Sequence, residues 1–390
     1  MKETKPLSSL TSQLLLSLAL SLSFLAMATG STTDSARSPS SGVLQKLLLL
    51  FSVCIATSTY KAIQPPPSKL CGSPDGPSIT GPRIKLRDGR QLAYKEHGVP
   101  RDEATHKIIV VHGSDSCRHD NAFAALLSPD IKEGLGVYMV SFDRPGYAES
   151  DPDPNRTPKS LALDIEELAD QLSLGSKFYV IGYSMGGQAT WACLKYIPHR
   201  LAGVTLVAPV VNYWWKNFPS EISTEAFNQQ GRNDQWAVRV AHYAPWLTHW
   251  WNSQSWFPGS SVVARNLGML SKADKEIMFK LGAARSQHEA QIRQQGTHET
   301  LHRDMIVGFG TWEFDPMELE NLFPNNEGSV HLWQGDDDVL VPVTLQRYIA
   351  KKLPWIHYHE IPGAGHLFPF APGMVNNIVK TLLTNDGVKK

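Results

Sequence analysis

The stretch FYVIGYSMGGQATW, residues 178–191, decides how this chain is read. Phe178 to Ile181 is a short apolar run, as expected of a strand buried on both faces. Gly182-Tyr183-Ser184-Met185-Gly186 then spells G-x-S-x-G, and Gln188 to Tyr196 reads as a helix. Between a strand and a helix, this pattern makes a turn so sharp that the serine backbone is strained and its hydroxyl is lifted to the helix N-terminus. Gly182 and Gly186 are needed there, because a Cβ at either would strike the neighbouring strand or helix. Ser184 is therefore the expected nucleophile.

A serine hydroxyl is a weak nucleophile until a base takes its proton. Of 14 histidines, His366 is the best placed, in Pro362-Gly363-Ala364-Gly365-His366 after the strand-like run Ile356 to Ile361. Small residues let that loop approach the serine closely. His112 ends a strand and is expected to order the turn that follows it. His357 and His359 alternate on one strand face, but without a third ligand nearby no metal is expected.

The base needs a carboxylate to orient it and to stabilise the imidazolium. Gly335-Asp336-Asp337-Asp338 follows a strand run ending at Trp333. Three consecutive aspartates cannot all face one histidine. Asp338, nearest the next helix, is expected to turn inward, and Asp336 and Asp337 to be solvated. An oxyanion hole should pair the N–H of Met185 with one from His112-Gly113-Ser114-Asp115, for which Ser114 is the candidate.

Outward from this centre, similar apolar runs occur at Lys107 to Val111, Val137 to Phe142, Val204 to Val207 and Val330 to Trp333. Arg83 to Leu86 and Gln91 to Glu96, joined by Asp88-Gly89, predict a hairpin. Ser160 to Leu174 predicts a helix, with Leu161, Ile165, Leu168 and Leu172 on one face. The expectation is an α/β fold: a mostly parallel central sheet flanked by helices, with a helical cap inserted before the acid-bearing strand. The expected boundaries are a catalytic core over 82–209, a cap over 210–326 and the rest of the core over 327–385. Within the cap, Ser271 with Asp274 suggests a capping box. Seven of 11 tryptophans lie between Trp214 and Trp256. They imply either aromatic packing that holds the cap together, or a greasy pocket or lipid-facing surface.

With 37 basic and 37 acidic residues, the chain offers no field to draw in nucleic acid. Cys54, Cys71, Cys117 and Cys193 form neither a metal spacing nor a disulfide framework. No cofactor is expected. Residues 1–28, with Lys2, Lys5 and an apolar run from Leu14 to Ala28, are shaped like a signal or transit segment. Residues 29–67 combine a polar tail, a marginal membrane anchor with apolar core Leu47 to Ala56, and the spacer Pro65-Pro66-Pro67. Membrane association through the N-terminus follows, in the endomembrane or secretory system, with a plastid as the alternative. Asn155-Arg156-Thr157 is a glycosylation sequon.

These pieces together resemble the α/β-hydrolase superfamily over roughly Ile84 to Leu383, in the branch with a single-glycine His-Gly loop. Asp143-Arg144-Pro145-Gly146-Tyr147-Ala148-Glu149-Ser150 is similar to that branch's D-x-R-G-x-G-x-S segment, departing at Pro145 and Ala148. Gly335 to Pro342 is similar to its acid segment, G-x-x-D-x-x-V-P, which again selects Asp338, and Gly365-His366 to its G-H. An apolar N-terminal segment, a proline run and PRIKLRDGRQLAYKEHG look like membrane-anchored plant hydrolases of this fold. The resemblance implies the fold and the catalytic apparatus. Dehalogenases and epoxide hydrolases of the superfamily need an aspartate at position 184, so the serine there points to a hydrolase of small-molecule carboxylic esters, and the tryptophan-rich cap is compatible with lipophilic ones. The alternative is a hormone-type receptor on the same scaffold, with little turnover.

Overall fold

The structure, a computed structural model, describes residues 39–285 and 288–384. The signal-like residues 1–28 and the first part of the polar tail lie outside them. The chain forms two compact units, Met1–Lys61 and Ala62–Lys390. The first is described through helix α1 (Pro39–Ile63). Helix continues well past the apolar core Leu47 to Ala56, so Gln45–Ile63, with mean hydropathy 1.4, is long and apolar enough to cross a membrane.

In the second unit, strands and helices alternate. The hairpin β1 (Arg83–Lys85) and β2 (Gln91–Gly98) leads into β3 (His106–Val111) and β4 (Val137–Phe142). Helix α2 (Pro158–Gln171), β5 (Phe178–Tyr183), α3 (Gly186–Tyr196) and β6 (Leu201–Val207) follow. Between β6 and β7 come α4 (Ser220–Gln229), α5 (Arg232–Tyr243), α6 (Thr248–Ser253), α7 (Lys272–Arg285) and α8 (Arg303–Phe309). The chain closes with β7 (Val330–Gly335), α9 (Val343–Lys352), β8 (Ile356–Ile361) and α10 (Met374–Thr384). One eight-stranded sheet results, in the order β1-β2-β4-β3-β5-β6-β7-β8. It is parallel from β4 through β8, and β2 pairs antiparallel with both β1 and β4.

The continuous apolar run of β3 has a direct explanation. Ile109 and Val111 pack toward α2 and α3, and Ile108 and Val110 pack toward α10 on the opposite face. Alternate residues of one strand thus enter two cores, which is why no polar position interrupts the run. Helix α2 opens on a reciprocal cap, in which Thr157 Oγ1 accepts from Ser160 N–H and Ser160 Oγ from Thr157 N–H, both at 3.0 Å. It ends at Gln171, short of the predicted Leu174, because Ser173 turns left-handed at φ +54°. All four cysteines are free thiols.

Candidate active site

Ser184 stands one residue beyond β5, at the carboxyl edge of the sheet, where open α/β sheets bind ligands. Its φ is +54°, an uncommon conformation for a residue with a Cβ, and its N–H is held by the Val207 carbonyl at 2.9 Å. A side chain on Gly182 would overlap Thr190 Oγ1, and one on Gly186 would overlap the Val111 carbonyl. Neighbours on both sides therefore over-determine the turn, which is what lets the strain persist.

His366 follows β8 and Asp338 follows β7, so both side chains rise from the same sheet edge. His366 Nε2 lies 2.9 Å from Ser184 Oγ, and His366 Nδ1 lies 2.7 Å from Asp338 Oδ2. The second oxygen of Asp338 accepts from the N–H groups of Leu340 and Val341, both at 2.9 Å, and Gln334 Nε2 donates to Oδ2 at 2.9 Å. With donors on both oxygens, the carboxylate acts as acceptor and fixes the imidazole proton on Nδ1. The Nε2 lone pair is left facing the serine. Asp336 and Asp337 are exposed, and Asp336 accepts from Gly363 N–H at 2.6 Å.

Burial alone would lower the His366 pKa. The charge of Asp338, its hydrogen bond and the charge of Asp274 outweigh burial and hold the pKa above the ordinary value. Asp274 is a carboxylate whose role the sequence concealed. Ser271 Oγ accepts from Asp274 N–H at 3.1 Å, one half of the expected capping box. The Asp274 side chain does not complete the box. It accepts from the N–H groups of His366 and Leu367 at 2.9 and 2.7 Å. A side chain at residue 365 would collide with Asp274 and Ser271, which accounts for the glycine before His366.

The His112–Asp115 loop passes directly over Ser184: a Cβ on Gly113 would touch that of Ser184 at 3.0 Å. Ser114, Ser184 and Met185 line one cavity. His112 does order the turn. Its Nδ1 meets the Gly113 carbonyl at 2.8 Å, its Nε2 accepts from Arg144 N–H at 3.0 Å, and burial pushes its pKa down to about 3. Arg144 donates to the carbonyls of His112 and Gly113 at 3.0 and 2.9 Å, and through both Nη atoms to Asp304 of α8 at 2.7 Å. Tyr147 Oη donates to the same carboxylate at 2.6 Å, and Arg156 lies 3.0 Å from it. Asp115, at φ +51°, receives Arg265 at 2.6 Å and Arg293 at 2.6 Å. Two ion clusters thus tie the loop to the segment between β6 and β7.

The cavity above Ser184 has a volume of about 110 Å³ and is walled mainly by aliphatic side chains, among them Val210, Val238, Val263, Leu301 and Met305. None of the seven clustered tryptophans lines it, so the pocket version of the tryptophan expectation is corrected. Trp215 is buried against Trp191 and Trp312, and Trp214 stacks on His242 at 4.1 Å. Trp236, Trp246 and Trp256 are exposed, as are Tyr243 and Phe257.

Residues 108–377 match the model of the alpha/beta hydrolase family. The chain belongs to that family. The α/β-hydrolase fold recurs in the enol-lactonase from Burkholderia xenovorans LB400, at TM-score 0.54 and 15% identity, covering 77% of this chain and 99% of that one. An esterase from Exiguobacterium antarcticum aligns at TM-score 0.52 and 16% identity, covering 78% and 99% of the two chains. In sequence, the chain is 24% identical over 269 residues to the Arabidopsis thaliana protein named "Probable lysophospholipase BODYGUARD 5", covering 66% of this chain and 57% of that one. The chain spans 42% to 57% of the length of the curated relatives it matches.

Proposed function

We propose that this α/β-hydrolase cleaves lipophilic carboxylic esters through an acyl-enzyme on Ser184. The observation that carries the reading is the run of contacts from Asp338 through His366 to Ser184, at the floor of an aliphatic cavity. In the first half-reaction, Ser184 Oγ attacks the ester carbonyl carbon as His366 Nε2 takes the hydroxyl proton. The N–H groups of Met185 and Ser114 stabilise the oxyanion. The C–O bond then breaks, and His366 returns the proton to the departing alcohol. Water, deprotonated by His366, attacks the acyl carbon in turn, and the carboxylic acid leaves with Ser184 restored. Residues 210–326 act as the cap that closes over this centre.

A cavity of about 110 Å³ is well below the roughly 300–1,000 Å³ of pockets that hold drug-sized ligands. Short and medium acyl chains are therefore the expected substrates. With the full chain in detergent, p-nitrophenyl butyrate and octanoate should turn over faster than the palmitate. Stoichiometric labelling by a fluorophosphonate with no turnover of any ester would favour the receptor alternative instead. The exposed aromatics Trp236, Trp246, Trp256 and Phe257 support a lipid-facing surface, in keeping with α1 as an anchor in the endomembrane or secretory system.

The rate should also carry the signature of His366. Only the neutral imidazole accepts a proton, and its pKa is raised, so kcat/KM should fall with acid from a point above the usual histidine range. In Asp338→Asn the raising charge is gone while the burial remains. The acid limb should move to lower pH, and the plateau should drop by about 10⁴-fold, as when the orienting aspartate of a serine protease is lost. A pH profile with an unmoved limb would contradict this assignment of Asp338.

A further inference from the structure

His298-Glu299-Thr300-Leu301-His302 reads H-E-x-x-H, the spacing that sets two imidazoles on one helical face as metal ligands. The five residues form a π-helical turn, a rare element that is frequent at functional sites. His249, on α6, completes a triangle. The three ring centroids lie 5.9, 5.6 and 5.9 Å apart, and one nitrogen from each ring falls within 4.8 Å of the others. Zn–N bonds of 2.0–2.1 Å at tetrahedral angles would put the ligand nitrogens about 3.4 Å apart, so the three rings must close by up to about 1.5 Å around an ion.

Four ring nitrogens here lack a hydrogen-bond partner, whereas His298 Nε2 lies 3.9 Å from Glu299 Oε1. His249 Nδ1, His298 Nδ1 and both ring nitrogens of His302 are buried without a hydrogen bond, and His302 is 2% exposed. Orphaned buried nitrogens are uncommon and call for an occupant. The other histidine cluster, on β7 and β8, shows the contrast. There His331 Nδ1 meets His359 Nε2 at 3.0 Å, and His331 Nε2 meets Ser329 Oγ at 2.8 Å, so its central ring is already satisfied. The arginines whose charges bear on the triad each pair with a carboxylate, Arg293 with Asp115, Arg303 with Glu299 and Arg156 with Asp304. All three histidines face a cavity of about 270 Å³, with room for the water that would fill a fourth coordination position.

We propose that His249, His298 and His302 bind a divalent transition metal of the zinc class, with water as the fourth ligand. Imidazole suits zinc, copper and nickel, and three protein ligands plus water is a common zinc arrangement. The ion would join α6 to the π turn, which runs straight into α8 and Asp304. Occupancy would thereby stiffen the segment that holds the His112–Asp115 loop.

The full chain, stripped with chelator in detergent, would be titrated with ZnCl₂ by calorimetry. Tetrahedral Co²⁺ would be read by its visible absorption. Wild type should bind a single equivalent and gain thermal stability, as ligand binding to the folded state requires. His302→Ala and His249→Gln should each weaken binding by about 100-fold or more and lose the cobalt spectrum, whereas the control His199→Ala should not. His249 is only partly buried, so its variant decides the matter should His302→Ala fail to fold. No saturable binding by wild type, or equal binding by wild type and His249→Gln, would overturn the site.

Discussion

Ser184→Ala is expected to abolish fluorophosphonate labelling and to lower kcat on p-nitrophenyl esters by about 10⁴- to 10⁶-fold, with the fold intact. Alanine keeps the Cβ, so the strain at φ +54° is unchanged, and the Val207 carbonyl still holds the backbone. The variant loses the nucleophilic hydroxyl and its contact with His366 Nε2. His366→Ala should cost nearly as much, because without a base the hydroxyl stays protonated. The double variant should be no slower than either single one, since the two groups act as a unit and their losses do not add. Each variant's rate would be measured alongside its melting temperature, which should stay within a few degrees of wild type. Labelling that persists in Ser184→Ala would remove Ser184 from the mechanism.

The sharp turn at Ser184 was readable because its requirements are local: a buried strand, two obligatory glycines and a helix are all written within 178–196. His366 and Asp338 were readable for a related reason, since each lies in a short loop after a strand, and the sheet gathers such loops along one edge. Asp274 was hidden because a serine three residues before an acid has a sufficient local explanation as a capping box. Its actual partners, the N–H groups of residues 366 and 367, are backbone atoms that leave no mark on sequence. The tryptophans misled in part. Clustering along the chain signals aromatic packing, but not whether the rings face a cavity, a neighbour or solvent, and here aliphatic side chains wall most of the cavity. The sequon at Asn155 likewise hides a structural role: Arg156 in its middle is buried beside Asp304 and donates to the Pro145 carbonyl at 2.9 Å.

Asp304→Ala should be the most damaging change away from the reacting atoms. The carboxylate is buried in contact with Arg144, Arg156 and Tyr147, and burial of those charges is tolerable only while it is present. Its own pKa illustrates the balance. Burial pushes upward, yet the two arginines outweigh it and hold the group below the usual carboxylate range. Breaking a buried pair by removing one partner costs about 3–5 kcal/mol, because the remaining charge is stranded. At roughly 2 °C per kcal/mol for a domain this large, Tm should fall by about 6–10 °C. The loss should reach the chemistry too. Arg144 clamps the His112 and Gly113 carbonyls, so an unpaired Arg144 frees the loop that carries the Ser114 N–H. Loss of one oxyanion donor lowers kcat by about 10²- to 10³-fold, and Asp304→Ala should approach the lower figure below its melting transition. Asp304→Asn keeps the shape and drops the charge, which separates packing from electrostatics. If the charge dominates, the asparagine variant should melt close to the alanine variant. If it melts with wild type instead, the cluster is held by shape and hydrogen bonding, and the electrostatic account of the clamp fails.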